Sequence, residues 1–202
     1  MAPETLVRRA ERRDLDGVAI TDHNTMEGVP PVRRAASGDF MVIPGEEIDT
    51  PDGQIIGLFL SEPIEPWQSP GDVIDQIHDQ GGVAVAPHPF DALREGLKGI
   101  DEHAETLDAI ETINSRCLRG RYNKRATAFA TEHHLPATGG SDAHFAYEVG
   151  TAFTEVRTDG ETLAEAKRAL LAGRTAPKGE RGSPLVHAGT KCVKLYNRVR
   201  RP

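Results

Sequence analysis

Four short apolar runs in this chain each lead into an acid or a histidine, and that repetition restricts the fold more than any other feature. The run at 135–138 is followed by Gly139-Gly140-Ser141-Asp142-Ala143-His144, which mounts a carboxylate and an imidazole close together in a turn. The others are 17–20, followed by Thr21-Asp22-His23; 40–43, leading to Gly45-Glu46-Glu47; and 83–86, followed by Pro87-His88-Pro89. Each run has about the length of a buried strand. Strands whose C-terminal ends carry His, Asp or Glu are what a barrel needs to gather one site on one face.

Helical signals alternate with these runs. Residues 3–13 open with Pro3 and carry Leu6, Val7 and Ala10 as an apolar stripe, and residues 26–37 read as a short helix. Ser69 caps a helix over 69–80 that begins at Pro70, presents Val73, Ile74 and Ile77 on one face and stops at Gly81-Gly82. Further helices are expected at 92–97, 122–133 and 161–173, the last capped by Thr158 or Asp159 and stopped by Gly173. Strands are expected at 40–47, 54–60 and 107–112 as well. The pattern predicts an α/β fold with a largely parallel sheet. The polar, Gly/Pro-rich stretch 174–184 reads as a connector and the basic tail 187–201 as one more helix. This divides the chain into a domain over 1–175 and a connector with C-terminal helix over 176–202.

The chain has 202 residues, enough for one domain with a full core. With 24 Lys plus Arg against 31 Asp plus Glu, its net charge is −7, which argues against general binding to a nucleic-acid backbone but not against a small phosphorylated substrate. Cys117 and Cys192 stand far apart in no metal-type spacing, and the N-terminus shows no hydrophobic leader. No apolar run approaches the ~20 residues that cross a bilayer. A soluble, cytoplasmic protein is expected, with no membrane partner.

Carboxylates and neutral imidazoles together suit zinc, manganese or iron(II), and a carboxylate can bridge two such ions. Glu47 is the candidate bridge, His23, His88 and His144 the nitrogen donors, and Asp142 an oxygen donor. Any one of these histidines alone reads best as an ordinary surface or core side chain, but four acid or imidazole groups at successive strand ends need a common reason. Asn114, Arg116 and Arg119, just beyond the 107–112 strand, are placed to contact a phosphate oxygen, arginine by its planar fork. Asp22 reads as a turn residue or as a partner orienting His23. Asp91 and Glu148 lie close in sequence to the candidate ligands, whereas His78, His103, His133 and His134 read as structural or solvated.

Five fragments then fall into a recognisable order: Thr21-Asp22-His23-Asn24, Gly45-Glu46-Glu47-Ile48-Asp49 with the following 54–60 strand, Pro87-His88-Pro89-Phe90-Asp91, Glu111-Thr112-Ile113-Asn114-Ser115-Arg116, and Gly140-Ser141-Asp142-Ala143-His144 with Glu148-Val149-Gly150. Together they resemble the PHP family, the polymerase and histidinol phosphatase metal-dependent phosphoesterases. The resemblance implies a distorted (β/α)7 barrel around two or three divalent ions held by His23, Glu47, His88, Asp142 and His144. Its implied chemistry is attack of a metal-activated hydroxide on a phosphate ester, with Glu47, Asp142 and Arg116 at the reacting group. Two departures stand out. The family's opening His-x-His element is absent before the first helix, so the barrel is expected to lack its first strand and to expose a sheet edge. This points either to a start codon placed late or to a degenerate member. Gln54 stands where many relatives carry His or Glu. The alternatives are an amide or cyclic phosphodiester hydrolase on the same metal centre, and a PHP module without catalysis.

Overall fold

A computed structural model describes residues 1–180. Helix α1 (Pro3–Glu11) has Pro3 in its first turn and buries Val7 and Ala10. The chain then enters β1 (Gly17–Ile20), crosses over through α2 (Val29–Ala35) and returns as β2 (Met41–Thr50), parallel to β1. At Thr50-Pro51-Asp52-Gly53 it turns directly back into β3 (Gly53–Leu58), antiparallel to β2. Gly53 makes that turn possible: its φ is +128°, and a Cβ there would lie 2.5 Å from the Gly96 carbonyl oxygen. After α3 (Pro70–Asp79) the chain forms β4 (Val83–Ala86), antiparallel to β3, and then β5 (Ala109–Asn114), α4 (Gly120–Glu132) and β6 (Ala137–Gly140), all three strands running parallel. A second, two-stranded sheet pairs β7 (Ala152–Val156) with β8 (Thr175–Gly179) across α5 (Leu163–Leu171).

The six-stranded sheet has the order β1-β2-β3-β4-β5-β6 and curls into a half-barrel with β1 at its edge. The sheet does not close as a (β/α)7 barrel among the described residues; it is largely parallel, as expected, with β3 alone running against the other five strands. The cause is local. A Pro-Asp-Gly turn leaves no room for a crossover helix, so β2 and β3 pair as a hairpin. Beyond β2, β1 has no strand neighbour among the described residues.

Helix α3 has the predicted cap, Ser69 Oγ accepting from the Asp72 N–H at 3.2 Å, and its Val73, Ile74 and Ile77 are at most 1% exposed. They pack with Ile48, Ile55 and Ile110, and burying each such side chain contributes about 1.5–3 kcal/mol. Helix α5 differs in its cap. Thr162 and Glu165 form a reciprocal capping box in place of Thr158 or Asp159. The helix expected over 92–97 is not formed. That stretch hydrogen-bonds to the β2–β3 turn instead, Gln54 N–H to the Glu95 carbonyl at 2.8 Å and Lys98 N–H to the Asp52 carbonyl at 2.7 Å, leaving only a 3₁₀ turn at Ile100–His103. The opening of the stretch read as a connector is strand β8, while the basic helix over 187–201 lies outside the described residues. No helix among the described residues is long and apolar enough to cross a membrane.

Candidate metal centre

Because β1, β2, β4, β5 and β6 run in one direction and β3 against them, the C-terminal ends of five strands and the start of β3 meet at one end of the sheet. Glu47 lies among them. Its Oε1 is 3.2 Å from His88 Nε2 and its Oε2 is 3.5 Å from His23 Nδ1, so one carboxylate spans two imidazoles. His23 is held opposite Glu47 by a parallel bridge that extends the β1–β2 pairing. On that same ring nitrogen of His23, Gln54 Nε2 approaches to 3.3 Å, and it also donates to Asp49 Oδ1 at 2.8 Å. Asn24 donates to the other Asp49 oxygen at 2.6 Å.

On the far side, His88 is buried and its N–H donates to Glu111 Oε2 at 2.8 Å. Asn114 Nδ2 donates to that same oxygen at 2.9 Å and to Asp142 Oδ2 at 3.1 Å, linking β5 to the turn after β6. Burial pushes the Glu111 carboxyl up to about 7; the nearby His88 opposes the shift and the Asp142 charge adds to it. At Asp142 burial also acts to raise the pKa, but the Arg94 guanidinium, by charge and hydrogen bond, outweighs it and holds the carboxyl below its ordinary value, with help from His88 and Asn114. Asn24, His88 and Asp142 all have positive φ, 54°, 30° and 50°. Such backbone costs roughly 1–3 kcal/mol per residue and clusters where a site demands it.

His144 sits at the rim, its Nδ1 3.5 Å from Asp142 Oδ1. The turn that carries it is fixed by Glu148, whose Oε2 accepts the N–H groups of His144 and Phe145 at 2.7 and 2.8 Å. Arg116 is buried and donates from Nη1 to both Glu148 oxygens, at 2.9 and 3.1 Å. Asp91, read as a nearby candidate, is buried with Oδ1 accepting the Leu93 N–H. His78 pairs with Asp108 at 2.9 Å near the start of β4, at the opposite end of the sheet.

Sequence reasoning missed three contributors. Glu111 stands in a quoted fragment, and alternation along β5 was the signal that could have singled it out. Asp49 could have been found the same way, two residues beyond Glu47 on the same face. Arg94 carries no such signal. It reaches Asp142 from an irregular loop, with its guanidinium also in the field of Glu47 and Glu111.

No group of three or more His, Cys, Asp or Glu side chains among the described residues already converges as a metal site. The donor pairs nevertheless suit a metal. Two ligands each about 2.1 Å from a common ion and roughly 90–110° apart stand about 3.0–3.4 Å from each other, close to the 3.2 and 3.5 Å contacts around Glu47. His88 presents Nε2 to Glu47, while its Nδ1, directed elsewhere, is buried with no hydrogen-bond partner.

A family profile described as PHP-associated matches residues 120–175. The uncharacterized protein MJ1587 of Methanocaldococcus jannaschii is 39% identical over 125 residues, which are 61% of this chain and 72% of that protein. Among solved structures, a two-domain protein of Bacteroides vulgatus containing a predicted PHP-like metal-dependent phosphoesterase superposes with a TM-score of 0.75 at 19% identity, over 89% of this chain and 60% of the other. Endonuclease Q, solved with a 27-mer duplex bearing an abasic lesion at the active site, gives a TM-score of 0.62 at 14% identity, over 83% of this chain and 51% of the other. At those identities the two structures share the fold with this chain, and each extends well beyond it.

Proposed function

The chain belongs to the PHP family of metal-dependent phosphoesterases, and from that premise we propose that it hydrolyses the phosphate ester of a small phosphorylated metabolite or nucleotide. The observation that carries the reading is the Glu47 carboxylate spanning His23 and His88, the arrangement a bridging ligand requires. His23, Glu47, His88, Asp142 and His144 would hold two or three divalent ions, with zinc, manganese and iron all suited to the donor set. Such ions lower the pKa of a water to about 7 and stabilise charge on the phosphoryl oxygens.

The chain's own residues prepare that site. Gln54 and Asp49 gather with Glu47 around the one His23 nitrogen, Nδ1, and Asn114 fixes Asp142 against Glu111. Glu148 sets the turn that carries His144, so Arg116 contributes by holding Glu148 in place. The hairpin and the 88–99 loop wall the site from the side of β3. The fold shared with Endonuclease Q brings a phosphodiester within range of the same chemistry, while a net charge of −7 disfavours binding along an extended nucleic-acid backbone.

The test is metal content by mass spectrometry, with turnover of p-nitrophenyl phosphate and bis-p-nitrophenyl phosphate after loading with zinc or manganese. Bound ions with monoester turnover are expected. Bound ions with turnover of the diester alone would redirect the reading to phosphodiesters, and failure to retain any ion would end it.

A further inference from the structure

The loop over 91–99 delivers a guanidinium into the acidic cluster. The Arg94 side chain is 15% exposed, its Nη1 touches Asp142 Oδ2, and it lies in the field of Glu47 and Glu111. These are carboxylates of the same centre. The backbone beneath Arg94 is pinned: Arg94 N–H donates to the Asp91 carbonyl at 3.1 Å, the Glu95 carbonyl accepts from Gln54 at 2.8 Å, and Lys98 N–H reaches the Asp52 carbonyl at 2.7 Å. Gly96 packs so closely that a Cβ there would lie 2.7 Å from the Pro89 carbonyl oxygen. The loop therefore has little freedom to withdraw, and movement is left to the long arginine stem.

A carboxylate oxygen engaged by a guanidinium is not presented to a divalent ion, and an ion entering beside that guanidinium meets like charge where solvent screens weakly. Resting on the metal-centre reading above, we propose that Arg94 is an internal counter-ion that competes with the divalent metal for Asp142. It neutralises the acidic cluster of the metal-free protein, and loading requires its side chain to swing out.

The experiment titrates Zn²⁺ alone into metal-free wild type, Arg94→Met and Arg94→Lys by calorimetry, with thermal unfolding in parallel. Arg94→Met should bind Zn²⁺ about tenfold tighter or more, because the competitor is gone while the stem remains. Arg94→Lys, which keeps the charge, should stay near wild type. Without metal, Arg94→Met should unfold at a lower temperature than wild type, and added Zn²⁺ should close the gap. A folded Arg94→Met that binds no tighter than wild type overturns the proposal and leaves the metal centre intact, whereas absence of binding in all three proteins sinks both. Should Arg94→Met not fold, the wild type still decides: its Arg94 Nε–H resonance, assigned by its loss in Arg94→Lys, should shift in step with Zn²⁺ binding, and a resonance that ignores bound Zn²⁺ overturns the proposal.

Discussion

Two regions meet on β2, and they are built by opposite rules. Toward α3, Ile48 packs with Ile55, Ile74 and Ile77, and the single carboxylate on that face, Glu46, is fully buried and held by the Ile64 N–H at 2.8 Å. Toward the strand ends, Glu47 and Asp49 face His88, His23 and Gln54, and acid gathers beside acid. Adjacent glutamates thus play different parts because successive side chains of a strand point to opposite faces. The register of the hairpin, Ile48 opposite Ile55 and Asp49 opposite Gln54, keeps the two regions apart. A slip of one residue would drive Asp49 into the core and Ile48 into the site. The apolar region gains from each methylene it buries, whereas the polar one tolerates buried charge only because every acid has a partner of opposite charge or a donor.

The sharpest way to break the contrast is Glu47→Gln. Turnover of p-nitrophenyl phosphate should vanish and Zn²⁺ affinity should fall by more than about 100-fold, beyond what loss of an outer partner costs, with the unfolding temperature of the metal-free protein little changed. Retained Zn²⁺ binding would mean that Glu47 is as structural as its neighbour. The mirror-image substitution is Ile77→Ala in the apolar region, which should cost about 2–5 kcal/mol by chemical denaturation and leave Zn²⁺ affinity as it was. A lost site in a folded Ile77→Ala would show that the two regions are one cooperative unit.

The smallest effect is expected at Glu46→Gln. Burial, reinforced by the nearby Glu65 charge, raises the folded-state pKa of Glu46 above its ordinary 4.5, although the Ile64 N–H opposes it. As pH rises past that ordinary value, the unfolded chain gives up its proton first, so wild type loses stability until the folded form ionises too. Gln cannot ionise. The two proteins should therefore unfold alike near about pH 4, and Glu46→Gln should be the more stable at about pH 7. A difference independent of pH would show that packing, not charge, distinguishes the two side chains.

Much of the candidate site was legible because its candidate ligands stand at strand ends, and a strand end is a local feature: a short apolar run, then a break, then a polar residue. The structure runs β5 and β6 each two residues further toward the site than the pattern suggested, to Asn114 and Gly140, which carries Asn114 alongside Asp142. Strand pairing was harder to read. The Pro51-Asp52-Gly53 turn was a hairpin signal in plain view, and strand composition alone could not rank it above the parallel alternative. Strand β8, with its Pro and Gly, has little intrinsic strand preference and forms because β7 offers backbone partners from Ala152 to Val156. Arg94 was not legible, because the reach of a long side chain from an irregular loop depends on where that loop docks, and here it docks on residues some forty positions earlier in the chain.

The Glu148 carboxylate has a further consequence, for how this protein can change over generations. It accepts from a guanidinium on one side and from two backbone amides on the other. Inverting the pair by exchanging Arg116 and Glu148 would turn a guanidinium toward the two amides, which can only donate. Polarity at these two positions is thus locked by the main chain, and compensating exchange, the usual escape route for an ion pair, is closed to this lineage.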